Sequence, residues 1–167
     1  AIVLLPLIGF VINGLFGKRL PKALVGGLAT LVVFAAFLIS VSIFIGFPAD
    51  GTPVIVKAFE WFTIGGIQVN FGFQIDQLSL MMMMIVTGIG SLIHLYSIGY
   101  MSHDKGFYKF FTYLNLFIFS MLLLVMGSNY LILFIGWEGV GLCSYLLIGF
   151  WYENTEYGKA ARKAFIM

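Results

Sequence analysis

Five stretches of the chain, Ile2–Phe16, Ala23–Phe47, Leu78–Gly99, Phe110–Met126 and Tyr130–Trp151, hold between them one Asp, Glu, Lys or Arg. A helix needs about 20 apolar residues to cross the ~30 Å hydrocarbon core of a bilayer, and four of the five runs reach or approach that length. The first run is shorter. Buried helices of a soluble protein would need polar partners to shield them from water, and this chain has few to offer. It is 61% hydrophobic and 10% charged, with 20 glycines in 167 residues and a mean hydropathy of +1.05. That leaves too little polar surface to coat a soluble globule of this size. The pattern predicts an all-α, polytopic membrane protein with five transmembrane helices. A net charge of +2 gives no reason to expect a nucleic-acid partner. A single cysteine, Cys143, excludes an internal disulfide and a thiolate-ligated iron–sulfur cluster or zinc site. Redox chemistry is therefore expected elsewhere. Both ends lie within apolar or helical runs, so the chain reads as part of a longer one, with no signal peptide.

Loops rich in Lys and Arg stay on the cytoplasmic side of a membrane. Lys18, Arg19 and Lys22 follow the first run, Lys105 and Lys109 follow the third, and Lys159, Arg162 and Lys163 follow the fifth; only Lys57 falls on the other side. This puts the N-terminus outside and makes residues 48–75 external. Within that segment Ile67, Val69, Phe71, Phe73 and Ile75 alternate with Gln68, Asn70, Gly72 and Gln74, the period of a half-buried strand. Gly65-Gly66, after Phe59–Ile64, suits a tight hairpin turn. A short external β-hairpin is predicted, either as plain surface packing or as a clamp on neighbouring helix ends or a partner subunit. The resulting division is 1–47 for the first two helices, 48–75 for the external loop, 76–107 for the third helix and its cytoplasmic loop, and 108–167 for the fourth and fifth helices.

Six of the seven acids, Asp50, Glu60, Asp76, Asp104, Glu153 and Glu156, fall in loops or at span ends. Glu138 sits alone near the middle of the fifth run. A charged group there costs about 2.5–3.5 kcal/mol on insertion scales, so it needs a counter-charge, a proton or water. Gly136, Gly139 and Gly141 bracket it and permit close approach; Phe134, Ile135, Leu142 and Tyr145 share its helix face. Burial disfavours a carboxylate and a nearby ammonium favours it, so a carboxyl between those influences can exchange a proton. The competing reading is a permanently protonated Glu that joins two helices. His94 is the second intramembrane titratable group, and Thr87, Ser91 and His94 form one polar stripe on the third helix. It is a candidate proton relay or a hydrogen-bonded packing residue. Asp76, with Ser79 three residues on, fits a helix cap, with ion entry as the alternative. Met81–Met84 reads as apolar filler, and Asn115 and Ser120 as helix–helix hydrogen bonds.

The stretch Leu131–Tyr152, above all Gly136-Trp-Glu-Gly-Val-Gly-Leu-Cys-Ser-Tyr-Leu-Leu-Ile148, closely resembles the antiporter-like subunit 5, or L chain, family of proton-pumping NADH:quinone oxidoreductase (respiratory complex I). Leu5–Gly14, Phe73–Ser79, Ser91–Met101 and Phe111–Met121 support the likeness, which covers the whole chain and corresponds to the N-terminal part of that family. The resemblance implies a fold of two inverted helical repeats, the first opened by the fourth and fifth spans. It implies a translocase subunit of the respiratory chain that couples redox energy to proton transport. Glu138 matches the family's key glutamate, which works with a lysine on a later broken helix beyond Met167. His94 matches a polar position of the third helix. No cofactor is expected in this chain; NADH, FMN, iron–sulfur clusters and quinone belong to partner subunits. Its partners are other membrane subunits, the lipid bilayer and protons. The expected location is the bacterial inner membrane ahead of the mitochondrial one. Two other readings stay open: the large subunit of a multisubunit sodium/proton antiporter, and a non-pumping membrane scaffold.

Overall fold

The computed structural model describes residues 1–48, 51–65 and 67–166; Asp50, and the Gly66 half of the expected turn, lie outside the described residues. Six helices and two strands follow in the order α1 (Leu4–Phe16), α2 (Lys22–Ile45), β1 (Val54–Ile64), β2 (Ile67–Ile75), α3 (Gln77–Tyr100), α4 (Phe107–Met126), α5 (Tyr130–Ile148) and α6 (Thr155–Ile166). Helices α2 to α5 are each long and apolar enough to cross a membrane, which makes four spans by that measure. Five were expected. Helix α1 is the difference: its 13 residues rise roughly 20 Å at 1.5 Å each, short of the bilayer core.

Glycine sets how closely α1, α3 and α4 pack. A Cβ on Gly9 would stand 2.7 Å from the Asn115 amide and from Val32, and one on Gly90 would stand 2.7 Å from Ile118. These contacts join α1 to α4 and α3 to α4. Because Gly9 meets Asn115 while Gly14 meets Thr112, α1 and α4 run antiparallel. One apolar cluster centres on Val33, Ala36, Met83 and Leu122, and a second, toward the lysine-rich end, on Val25, Ala29, Phe107 and Phe111. Lys22 ties that end together, its ammonium donating to the Ser102 carbonyl at 2.8 Å and the Asp104 carbonyl at 3.0 Å.

The hairpin forms as an antiparallel pair, with β1 starting at Val54, five residues before the expected Phe59. Two register shifts, at Lys57/Phe59 and Glu60/Phe62, break its alternation and hide the strand from a period-two reading. Gly65 takes φ +58°, which an L side chain rarely adopts and a tight turn needs. Strand β2 packs Phe71, Phe73 and Ile75 on the main apolar cluster, and its far side holds the α4–α5 turn. Ser128 N–H donates to the Gly72 carbonyl at 3.2 Å, and the Asn129 amide donates to the Asn70 carbonyl at 2.7 Å. The close approach requires Gly72, since a Cβ there would lie 3.0 Å from Ser128 Oγ.

Candidate functional site

Helix α5 begins at Asn129, whose side-chain oxygen accepts from the Leu131 and Ile132 N–H groups at 3.1 Å each, the usual N-cap device. It packs on α4 through a narrow stripe, Ile132, Gly136, Gly139 and Cys143, spaced four, three and four residues apart. Gly136 lies so close to the Leu124 backbone that a side chain would displace it, and Gly139 lies against Ser120. These two glycines therefore serve the α4–α5 seam. Gly141 faces open space.

Glu138 lies on the opposite face, two residues from each of Gly136 and Val140, and is exposed. Its neighbours there, Phe134, Leu142 and Tyr145, are exposed as well. Among the described residues its carboxyl makes no hydrogen bond or ion pair. The expectation that Glu138 faces a bundle interior is thus not met by the helices of this chain alone. A carboxyl on an otherwise apolar helix is presented outward, away from the α4 seam.

The His94 side is built in the opposite way. His94 is 1% exposed, with Asn13 and Asn115 at 0%; they come from α3, α1 and α4. His94 Nδ1 meets the Gly90 carbonyl at 2.7 Å, the Asn115 side chain lies beside the imidazole, and the Phe111 ring is 6.1 Å away between centroids. Asn13 Nδ2 donates to the Val25 carbonyl at 3.4 Å. No described group bonds His94 Nε2, Asn13 Oδ1 or the Asn115 amide atoms. Asn115 was expected to bond between helices, and its side chain does lie against His94 of α3 and Gly9 of α1. Asn13 was missed as a site residue. The signal was there, an amide in an otherwise apolar run, but only the packing of α1 on α2 buries it against the Val25 carbonyl.

The rest of the third-helix stripe is inward but self-satisfied. Thr87 Oγ1 donates to the Met83 carbonyl at 2.6 Å and Ser91 Oγ to the Gly88 carbonyl at 2.7 Å. Both hydroxyls turn back on their own helix, so they do not form a wire to His94. Asp76 caps α3 in a reciprocal box: Ser79 N–H donates to Asp76 Oδ1 at 2.8 Å, and Asp76 N–H donates to Ser79 Oγ at 2.7 Å. The Ser79 N–H is also the main reason the Asp76 carboxyl is held below its ordinary 3.8. Tyr145 sits two turns beyond Glu138, its ring 5.8 Å from Phe165 of α6. Among the described residues there is no His, Cys, Asp or Glu cluster suited to a metal.

The comparisons with known proteins point one way. Residues 61–111 match the family described as NADH-Ubiquinone oxidoreductase (complex I), chain 5 N-terminus, and residues 127–167 match NADH:quinone oxidoreductase/Mrp antiporter, TM. NADH-quinone oxidoreductase subunit L of Rickettsia conorii is 46% identical over 166 residues, 99% of this chain and 25% of that one. The protein of the same name from Campylobacter jejuni is 50% identical over 163 residues, 97% of this chain and 26% of that one. A chain of an archaeal respiratory membrane complex, the membrane-bound sulfane sulfur reductase, shares the fold with a TM-score of 0.83 at 17% identity, covering 99% of this chain and 32% of its own. The chain thus spans about a quarter of the length of the curated relatives it matches. It belongs, as an N-terminal part, to the antiporter-like subunit L, or chain 5, family of the NADH:quinone oxidoreductases.

Proposed function

We propose that this chain is part of a proton-translocating membrane subunit of NADH:quinone oxidoreductase and that Glu138 is a proton carrier within it. The observation that carries the reading is the position of that carboxyl. It is the one acid within a span, it lies away from the α4 seam, and it meets no described polar group. The relatives are about four times longer, so a later part of the full chain is available to cover the Glu138 face. The resemblance implies a lysine on a later broken helix as the partner of Glu138. An approaching ammonium favours the carboxylate and releases the proton; its withdrawal in a dry site favours the neutral acid and takes a proton up. α1 completes a fifth span in the full protein, and α4 and α5 open the first of two inverted repeats.

His94 is a subsidiary proton site by the resemblance alone, and its enclosure by the chain's own helices suits a structural role first. The lysine-rich end faces the cytoplasm, the N-terminus lies outside, and the membrane is a bacterial inner membrane. NADH, FMN, iron–sulfur clusters and quinone are held by partner subunits. A second reading, the large subunit of a sodium/proton antiporter, is favoured by the Mrp antiporter named in the match to residues 127–167. Co-purification separates the two: flavin- and iron–sulfur-containing partners support the oxidoreductase, and small antiporter subunits alone support the other. Glu138→Gln in the full-length protein tests the carrier. Loss of pumping at normal assembly, with Glu138→Asp milder, is expected. Unimpaired pumping in Glu138→Gln would make the chain a scaffold and Glu138 a structural residue.

A further inference from the structure

We propose that the cavity at the lysine-rich end of the helices binds the headgroup of an anionic phospholipid. This half-open cavity of about 990 Å³ lies between the α1–α2 turn, the α3–α4 loop and the α5–α6 turn, at the upper end of the ~300–1,000 Å³ typical of small-molecule sites. Four lysines line it: Lys18, Lys22, Lys105 and Lys109. The Lys22 ammonium is committed to the Ser102 and Asp104 carbonyls. The other three make no ion pair among the described residues.

The nearest acid does not neutralise them by direct contact. Asp104 Oδ2 accepts from the Trp151 indole N–H at 2.9 Å and Oδ1 from the Gly106 N–H at 2.6 Å. Those two bonds are the leading reasons its carboxyl stays below the ordinary 3.8, and they fix Trp151 as a wall of the cavity. Glu153 is the other acid in the lining, so the three uncommitted lysines leave the site positive.

The remainder of the lining tells a free anion from a lipid. Val25, Phe107, Leu146 and Ala161 contribute apolar surface, which a free phosphate has no use for and which suits the glycerol and upper acyl carbons of a lipid. Tyr108 and Tyr152 join Trp151 in the wall, and such aromatic residues favour headgroup depth. Basic pockets between membrane helices attract phosphate headgroups by the same charge. The site thus combines a positive rim for phosphate with an apolar wall at the membrane interface.

The test uses the full-length protein in its complex, delipidated in detergent and titrated with phosphatidylglycerol, phosphatidylcholine or inorganic phosphate, with retained lipid counted by native mass spectrometry. Phosphatidylglycerol is expected to be retained in preference to phosphatidylcholine. Retention should fall about tenfold or more when Lys18, Lys105 and Lys109 are all changed to Gln, recover when all three are Arg, and be unchanged by Lys57→Gln in the hairpin. If the Gln variant does not assemble, rising salt should release phosphatidylglycerol from the unmodified protein. Equal retention of the two lipids, an unchanged Gln variant or salt-independent binding would overturn the proposal. Displacement of the lipid by millimolar inorganic phosphate would overturn it too, since the site would then take a free anion. The readout is lipid binding, so its failure leaves the Glu138 relay untouched.

Discussion

An imidazole, His94, and a carboxyl, Glu138, sit within the spans α3 and α5, and they are housed in opposite ways. His94 is buried on α3 with Asn115 and Phe111 of α4 beside it, whereas Glu138 stands on the outer face of α5 with apolar neighbours and no described partner. The closed node holds three helices of one packed body together; the open carboxyl waits on something outside it. Enclosure by the chain's own helices suits a structural role first, and an uncovered acid at membrane depth suits a functional one. Mutations should therefore separate the two, with losses of stability on one side and losses of transport on the other.

The largest effect is expected at the seam that holds Glu138 outward. Gly136→Leu forces a side chain into the Leu124 backbone, and no folded full-length protein should be recovered from membranes, as judged by detergent extraction and size-exclusion chromatography. Recovery of a normal, pumping protein would show that the α4–α5 contact does not set the orientation of Glu138. Next comes the closed node. Gly9→Leu drives a side chain into Asn115 and Val32, an overpacking worth about 1–3 kcal/mol, visible as a lower melting temperature of the full-length protein. Glu138→Gln should leave that temperature within measurement error. Equal destabilisation by both would erase the contrast.

Smaller effects are expected at the carboxyls of Asp76 and Asp104, at the two ends of α3. Asp76→Ala removes the cap of α3 and should cost about 1 kcal/mol, while Asp76→Asn keeps an acceptor for the Ser79 N–H and should cost less. The folded state holds the Asp76 and Asp104 carboxyls below their ordinary value, so each stabilises the protein above that value. That contribution is lost as the pH falls through the folded values, below about pH 4. Melting curves recorded downward from pH 6 should show a loss that is reduced in Asp76→Asn and reduced further when Asp104→Asn is added. A loss that persists in the double variant would assign the acid sensitivity to other groups.

Much of this was legible in the sequence because bilayer crossing imposes a coarse, local rule. The four long spans, the β2 alternation, the Asp76 cap and the lone acid of α5 are all functions of residues near one another in the chain. Packing was not legible. Gly136 and Gly139 read as openings around Glu138, yet both face α4, because a bracket in sequence says nothing about which side a neighbouring helix takes. Thr87, Ser91 and His94 read as one stripe, and they do share a buried face. Their hydroxyls nevertheless close on carbonyls of their own helix, a local option that spacing alone does not reveal. Strand β1 was cut short because two bulges disrupt its period. Gly9 and Asn115 lie 106 positions apart, and only the antiparallel packing of α1 on α4 brings them into contact.

Infrared difference spectroscopy of the full-length protein tests the central claim most directly, because it sees whether the Glu138 carboxyl gains and loses a proton. A carboxyl band that appears and disappears on pH titration or during turnover, and that is absent from Glu138→Gln, is the predicted result. A Glu138 band that stays constant across pH and turnover would show a permanently protonated residue and contradict the proton-carrier role.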